Sequence, residues 1–121
     1  MTNLPEPTEA QVQHACRELL HTLGWWTGNF SQGYRPGGRR HGTTRQTKGL
    51  PDFIAIHKAR GQVLFWETKR PSGKRSPEQV FVGDLLLCTP ALYGFGGLDE
   101  LCAVLRTAGW NILEHRPPWR T

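Results

Sequence analysis

The chain has 121 residues, which suits one domain of ordinary size and is short for two. An apolar share of 37%, with 14 Gly and 9 Pro, implies a compact core and much loop, and no apolar run of about 20 residues exists, which excludes a membrane-spanning helix. With 15 Lys and Arg against 10 Asp and Glu, the net charge of +5 favours an anionic partner such as nucleic acid.

Residues 8–23 are predicted as one amphipathic helix. Thr8 is the N-cap and Gln11 completes a capping box, while Gly24 stops the helix. Val12, Ala15, Cys16, Leu19, Leu20 and Leu23 recur at helical spacing and form its apolar stripe. Residues 25–30 are aromatic-rich and predicted as a strand. Residues 31–49 carry Arg35, Arg39, Arg40, Arg45 and Lys48 and no acid, with Gly and Pro keeping the segment irregular. Such a stretch is either a solvated loop or an arm that lies on phosphates. Two strands, 50–57 and 62–69, follow as a hairpin. Ser76, Pro77 and Gln79 then open a helix reaching about Cys88. A strand at 91–95 and a helix at 98–108, stopped by Gly109, come next, with a short strand at 110–113 and an extended RPPWRT tail. The order is an α/β layer pattern without a repeat or a linker.

Chemistry concentrates on the hairpin. Side chains alternate along a strand, so Glu67 and Lys69 share a face. Antiparallel pairing brings the start of the first strand, Asp52, to the end of the second. Glu67 follows the apolar run 63–66, where a carboxylate is costly without a cation. Asp52 and Glu67, with the backbone carbonyl of Thr68, suit Mg²⁺ or Mn²⁺. Lys69 beside them can position a water or neutralise charge on a phosphate, which makes a phosphodiesterase site. The alternative is a turn-capping Asp52 and an exposed Glu67–Lys69 pair.

The stretch GLPDFIAIHKARGQVLFWETKRPSGKRSPEQ resembles the core of the VRR-NUC family, within the PD-(D/E)XK nucleases. The matching pieces are G-x-PD at 49–52, ExK at 67–69 and SPEQ at 76–79. With the leading helix and the trailing strand–helix unit, the resemblance covers most of the chain and makes 1–121 a single nuclease domain. It implies a restriction-endonuclease-like α/β fold, a central mixed sheet flanked by helices. It implies metal-dependent cleavage of DNA, often branched, by a homodimer resembling Holliday-junction resolvases. Carried over, Asp52 and Glu67 are the metal-binding acids and Lys69 the catalytic lysine. Gln79 completes the site, and Glu9 is the acid of the first helix, with Glu18 as its alternative. The long basic loop departs from the family pattern. Lys74 and Arg75 add cations on the side expected to face DNA.

His14, His21, His41, His57 and His115 show no ligand spacing. Trp25, Trp26 and Trp66 are predicted to pack rather than stack on bases. Trp119 can close a dimer interface or cover a sheet edge. Cys16, Cys88 and Cys102 form no C-x-x-C pair, and Cys16 and Cys102 are expected as core thiols. Their sparseness, and an opening MTNLPEPTEA without a signal-like apolar stretch, point to the cytoplasm. Alternatives are a sequence-specific restriction-type enzyme, a non-catalytic DNA-binding module of the same fold, and a basic domain without a nucleic-acid role.

Overall fold

A computed structural model describes residues 5–30 and 47–112 of the chain. The first helix, α1 (Glu9–Thr22), starts where the capping box predicts. Thr8 Oγ1 accepts from Gln11 N at 3.1 Å, and Gln11 Oε1 accepts from Thr8 N at 2.8 Å. It ends in a Schellman motif: Gly24 N donates to His21 O and Trp25 N to Leu20 O, satisfying two terminal carbonyls. Val12, Ala15, Cys16, Leu19 and Leu20 of the predicted stripe are buried.

Four strands follow: β1 (Trp26–Asn29), β2 (Phe53–His57), β3 (Gln62–Thr68) and β4 (Leu92–Gly96). They form one mixed sheet in chain order. β1 and β2 pair antiparallel, β2 and β3 make the predicted hairpin, and β4 lies parallel to β3. A parallel neighbour needs a crossover. Here α2 (Pro77–Leu87) supplies it, with the predicted Ser76–Gln79 capping box. α3 (Leu98–Thr107) closes the chain and ends like α1, with Trp110 N bonded to Leu105 O. Among the described residues no helix is long and apolar enough to cross a membrane.

The core lies on one face of the sheet. Phe53, Ala55, Leu64 and Trp66 alternate along β2 and β3 and pack against Val12, Cys16 and Leu20 of α1 and Leu101 and Leu105 of α3. The opposite face carries Ile54, Ile56, Val63 and Phe65, all partly exposed. α2 covers this face only beside β4.

Two expectations need correction. Residues 110–112 form no strand, and 113 lies outside the described residues. Trp110 instead plugs the core: its Nε1 donates to Gln62 Oε1 at 2.7 Å, and its ring meets His57 and Trp25. Trp26 is 60% exposed while Trp25 is buried. Period 2 on the edge strand gives Thr27 the inward place and turns Trp26 out.

Candidate active site

The site begins at the tight approach before β2. Gly49 has φ +90°, and a Cβ there would lie 2.4 Å from the Glu78 carbonyl oxygen at the start of α2. Only glycine satisfies both demands. The turn then feeds Pro51 and Asp52 into the sheet. Asp52 N donates to Trp66 O, and Phe30 N donates to Asp52 O, both at 3.0 Å. One step beyond the Phe53–Trp66 pair, the register sets Asp52 opposite Glu67.

Asp52 Oδ2 accepts from Thr68 N at 2.8 Å, which fixes its carboxylate against the end of β3. Burial raises its pKa, and the Thr68 N–H and the Lys69 charge only partly oppose this. Glu67 is only 1% exposed. Its Oε2 accepts from the Tyr93 hydroxyl at 3.4 Å, and its Oε1 has no partner. Burial lifts the Glu67 carboxyl above the usual range, Lys69 opposes the shift, and Asp52 adds to it. Lys69 is half-buried and continues the strand, its N donating to Gly96 O at 3.0 Å.

Two residues that sequence reasoning did not place here complete the site. Tyr93 reaches Glu67 because β4 runs parallel to β3. Its hydroxyl also accepts from Arg75 Nη1 at 3.4 Å. Gly83 of α2 leaves room for that ring, since a Cβ would lie 2.6 Å from the Tyr93 hydroxyl. Arg75, partly exposed, lies 3.8 Å over the Phe95 ring, and its charge acts on Glu67. Tyr93 and Phe95 alternate onto one face of β4, and the crossover sets which residues of β3 they neighbour.

The other predicted residues divide. Lys48 is exposed and, with Asp52, lines a cavity of about 320 Å³. Lys69 and Arg70 line another of about 460 Å³, bounded by Gly96, Gly97 and Phe95. Lys74 is exposed on the link to α2. Gln79 Oε1 accepts from Ser76 N at 2.8 Å, so this group already serves the helix cap. Glu9 is exposed in the first turn of α1, and Glu18 pairs with His14 at 3.5 Å. Among the described residues no group of three His, Cys, Asp or Glu side chains is placed to hold a metal, so neither Glu9 nor Glu18 joins the Asp52–Glu67 pair. Arg35, Arg39, Arg40 and Arg45 lie outside the described residues.

The pair nonetheless suits a hard cation. A buried, unpartnered carboxylate oxygen on Glu67 faces a second carboxylate at a strand end, and a divalent ion with oxygen ligands and its own waters fits such a donor set. Thr68, fully buried between Glu67 and Lys69, would lend its carbonyl.

A scan of family models finds no match, and neither does a search of curated proteins. A solved structure titled "VRR_NUC domain" is similar, with 25% sequence identity and a TM-score of 0.57, over 83% of this chain and 92% of that one. The likeness thus extends over most of both chains. On motif and fold together, this chain is similar to VRR-NUC nuclease domains, and the structural match supports membership of that family.

Proposed function

We propose that the chain is a metal-dependent endonuclease acting on branched DNA, with four-way junctions as its preferred substrate. The observation that carries the reading is Glu67, a buried carboxylate with a free oxygen, set beside Asp52 and Lys69 in the fold of a nuclease domain. A fully buried acid without a compensating partner is destabilising, and sites of chemistry are where such costs are retained.

Asp52, Glu67 and the Thr68 carbonyl would hold Mg²⁺ or Mn²⁺, which supplies charge stabilisation and a more acidic bound water. Lys69 directs its ammonium at the attacking water or the phosphate. Tyr93 and Arg75 orient Glu67, the first by a hydrogen bond and the second by charge. Gln79 keeps its amide nitrogen for the phosphate while its oxygen caps α2. Lys48 and Lys74, both exposed, contact backbone without reading sequence.

Symmetric cutting of a junction needs two sites related by a two-fold axis, which a homodimer provides. The surface of α2 supports that reading. Phe81, Leu85 and Leu87 are 65%, 54% and 62% exposed, and Gly83 is the only buried residue of the helix. Phe81 and Leu85, one turn apart, share a face of α2, and large exposed apolar side chains of this kind favour cover by a partner.

The test is cleavage of an end-labelled four-way junction beside flap, splayed-arm and plain duplex controls, with Mg²⁺ or with EDTA. The expected result is paired nicks on the junction in Mg²⁺ only. Cleavage of one linear site would favour a restriction-type enzyme. Binding without product in any divalent ion would leave a non-catalytic module.

A further inference from the structure

The nuclease site leaves unexplained a polar groove between α1 and β1. It encloses about 440 Å³ and is lined by Gln13, His14, Arg17, Glu18, His21 and Asn29. Arg17 is half-buried and held on both sides. Its Nε donates to Thr27 Oγ1 at 3.1 Å and its Nη1 to Asn29 Oδ1 at 3.2 Å. His21 Nε2 shares the Thr27 hydroxyl at 2.9 Å, and Gln13 Nε2 approaches Asn29 Oδ1 at 3.5 Å.

These partners of Arg17 are neutral oxygens. Among the described residues no carboxylate pairs with it, and Glu18, the one acid lining the groove, pairs with His14. A guanidinium offers five donors in a planar fork, so several remain after these two bonds. Holding α1 to an edge strand needs only neutral donors. A pinned cation without a counter-charge is instead the arrangement that takes up a phosphate.

The groove also lies close to the cleavage site. Asn29 pairs with Phe53, the neighbour of Asp52, and Phe30 N bonds Asp52 O.

We propose that the α1–β1 groove seats a backbone phosphate of the DNA substrate outside the cleavage site, through Arg17 and His21. The proposal rests on the nuclease reading above. Asn29→Asp tests it by placing a carboxylate on Arg17 while keeping the clamp, and Arg17→Gln and His21→Gln remove donors. Binding of a fluorescent junction is followed by anisotropy in EDTA over a series of salt concentrations, with a thermal melt of each protein.

The expected result for Asn29→Asp and Arg17→Gln is about tenfold weaker binding and a log–log salt slope smaller by about one. His21→Gln should weaken binding less. Asn29→Asp should melt no lower than the wild type. A folded Asn29→Asp protein with wild-type affinity and slope overturns the groove and leaves Arg17 as a clamp. Arg17→Gln failing to fold leaves Asn29→Asp and His21→Gln to decide. A wild-type protein that binds no DNA at low salt overturns the nuclease reading itself, a separate result.

Discussion

Gly49 and Tyr93 show how single residues hold the site. Gly49 joins a left-handed backbone to a 2.4 Å approach, so Gly49→Ala meets both strain and a clash with the α2 backbone. The expected cost is about 2–4 kcal/mol, read by denaturant unfolding, with cleavage lost because Asp52 shifts. Tyr93→Phe removes a hydrogen bond to Glu67 Oε2 and an acceptor from Arg75. It should cost about 1 kcal/mol and lower the cleavage rate without changing DNA affinity. Burial keeps Cys16 inert, its thiol pushed up to about 12. The acids carry a pH dependence. Asp52 and Glu67 have raised folded-state pKa values, so the stability they lend the metal-free protein is present below the unfolded carboxylate value, near 4. It is lost as pH rises through the raised values. Melts without metal should show that contribution shrink on this side, and Glu67→Gln should flatten it.

Among the elements, α2 carries the clearest division between what is legible in sequence and what is not. Its start was legible, because the Ser76–Gln79 box satisfies specific backbone donors by short-range chemistry. Gln79→Glu keeps a capping box and should leave stability within about 0.5 kcal/mol, whereas Gln79→Ala should cost about 1 kcal/mol. A loss of cleavage in a stable Gln79→Glu protein would show that the amide nitrogen acts on the substrate. The exposure of Phe81, Leu85 and Leu87 was not legible, because an apolar helix does not declare which side it buries. The hairpin was legible for the same short-range reason as the cap: antiparallel pairing fixes Asp52 opposite Glu67 once two strands and a turn are recognised. Tyr93 and Arg75 were not, since their place depends on the parallel β3–β4 register across a crossover. Trp26 was misplaced because an edge strand lets a large ring face solvent.

At the scale of the whole molecule, one face of the sheet is a packed core and the other is open, with α2 along its β4 side. A two-fold partner laid on α2 would cover exposed rings and leucines. Phe81→Glu with Leu87→Lys should convert the protein to a monomer in light scattering and abolish paired nicking, while single nicks persist. A wild-type monomer at micromolar concentration would contradict the dimer.

The account turns on Glu67 being kept buried, with one carboxylate oxygen unpartnered, for a metal. The most direct measurement is thermal unfolding of the wild type and Glu67→Gln, each with and without Mn²⁺. Without metal, Glu67→Gln should be the more stable protein by about 1 kcal/mol, because a buried charge is gone. Mn²⁺ should raise the melting temperature of the wild type and leave Glu67→Gln unmoved. An equal response of the two proteins to the ion, or a Glu67→Gln protein less stable than the wild type in its absence, would contradict the assignment.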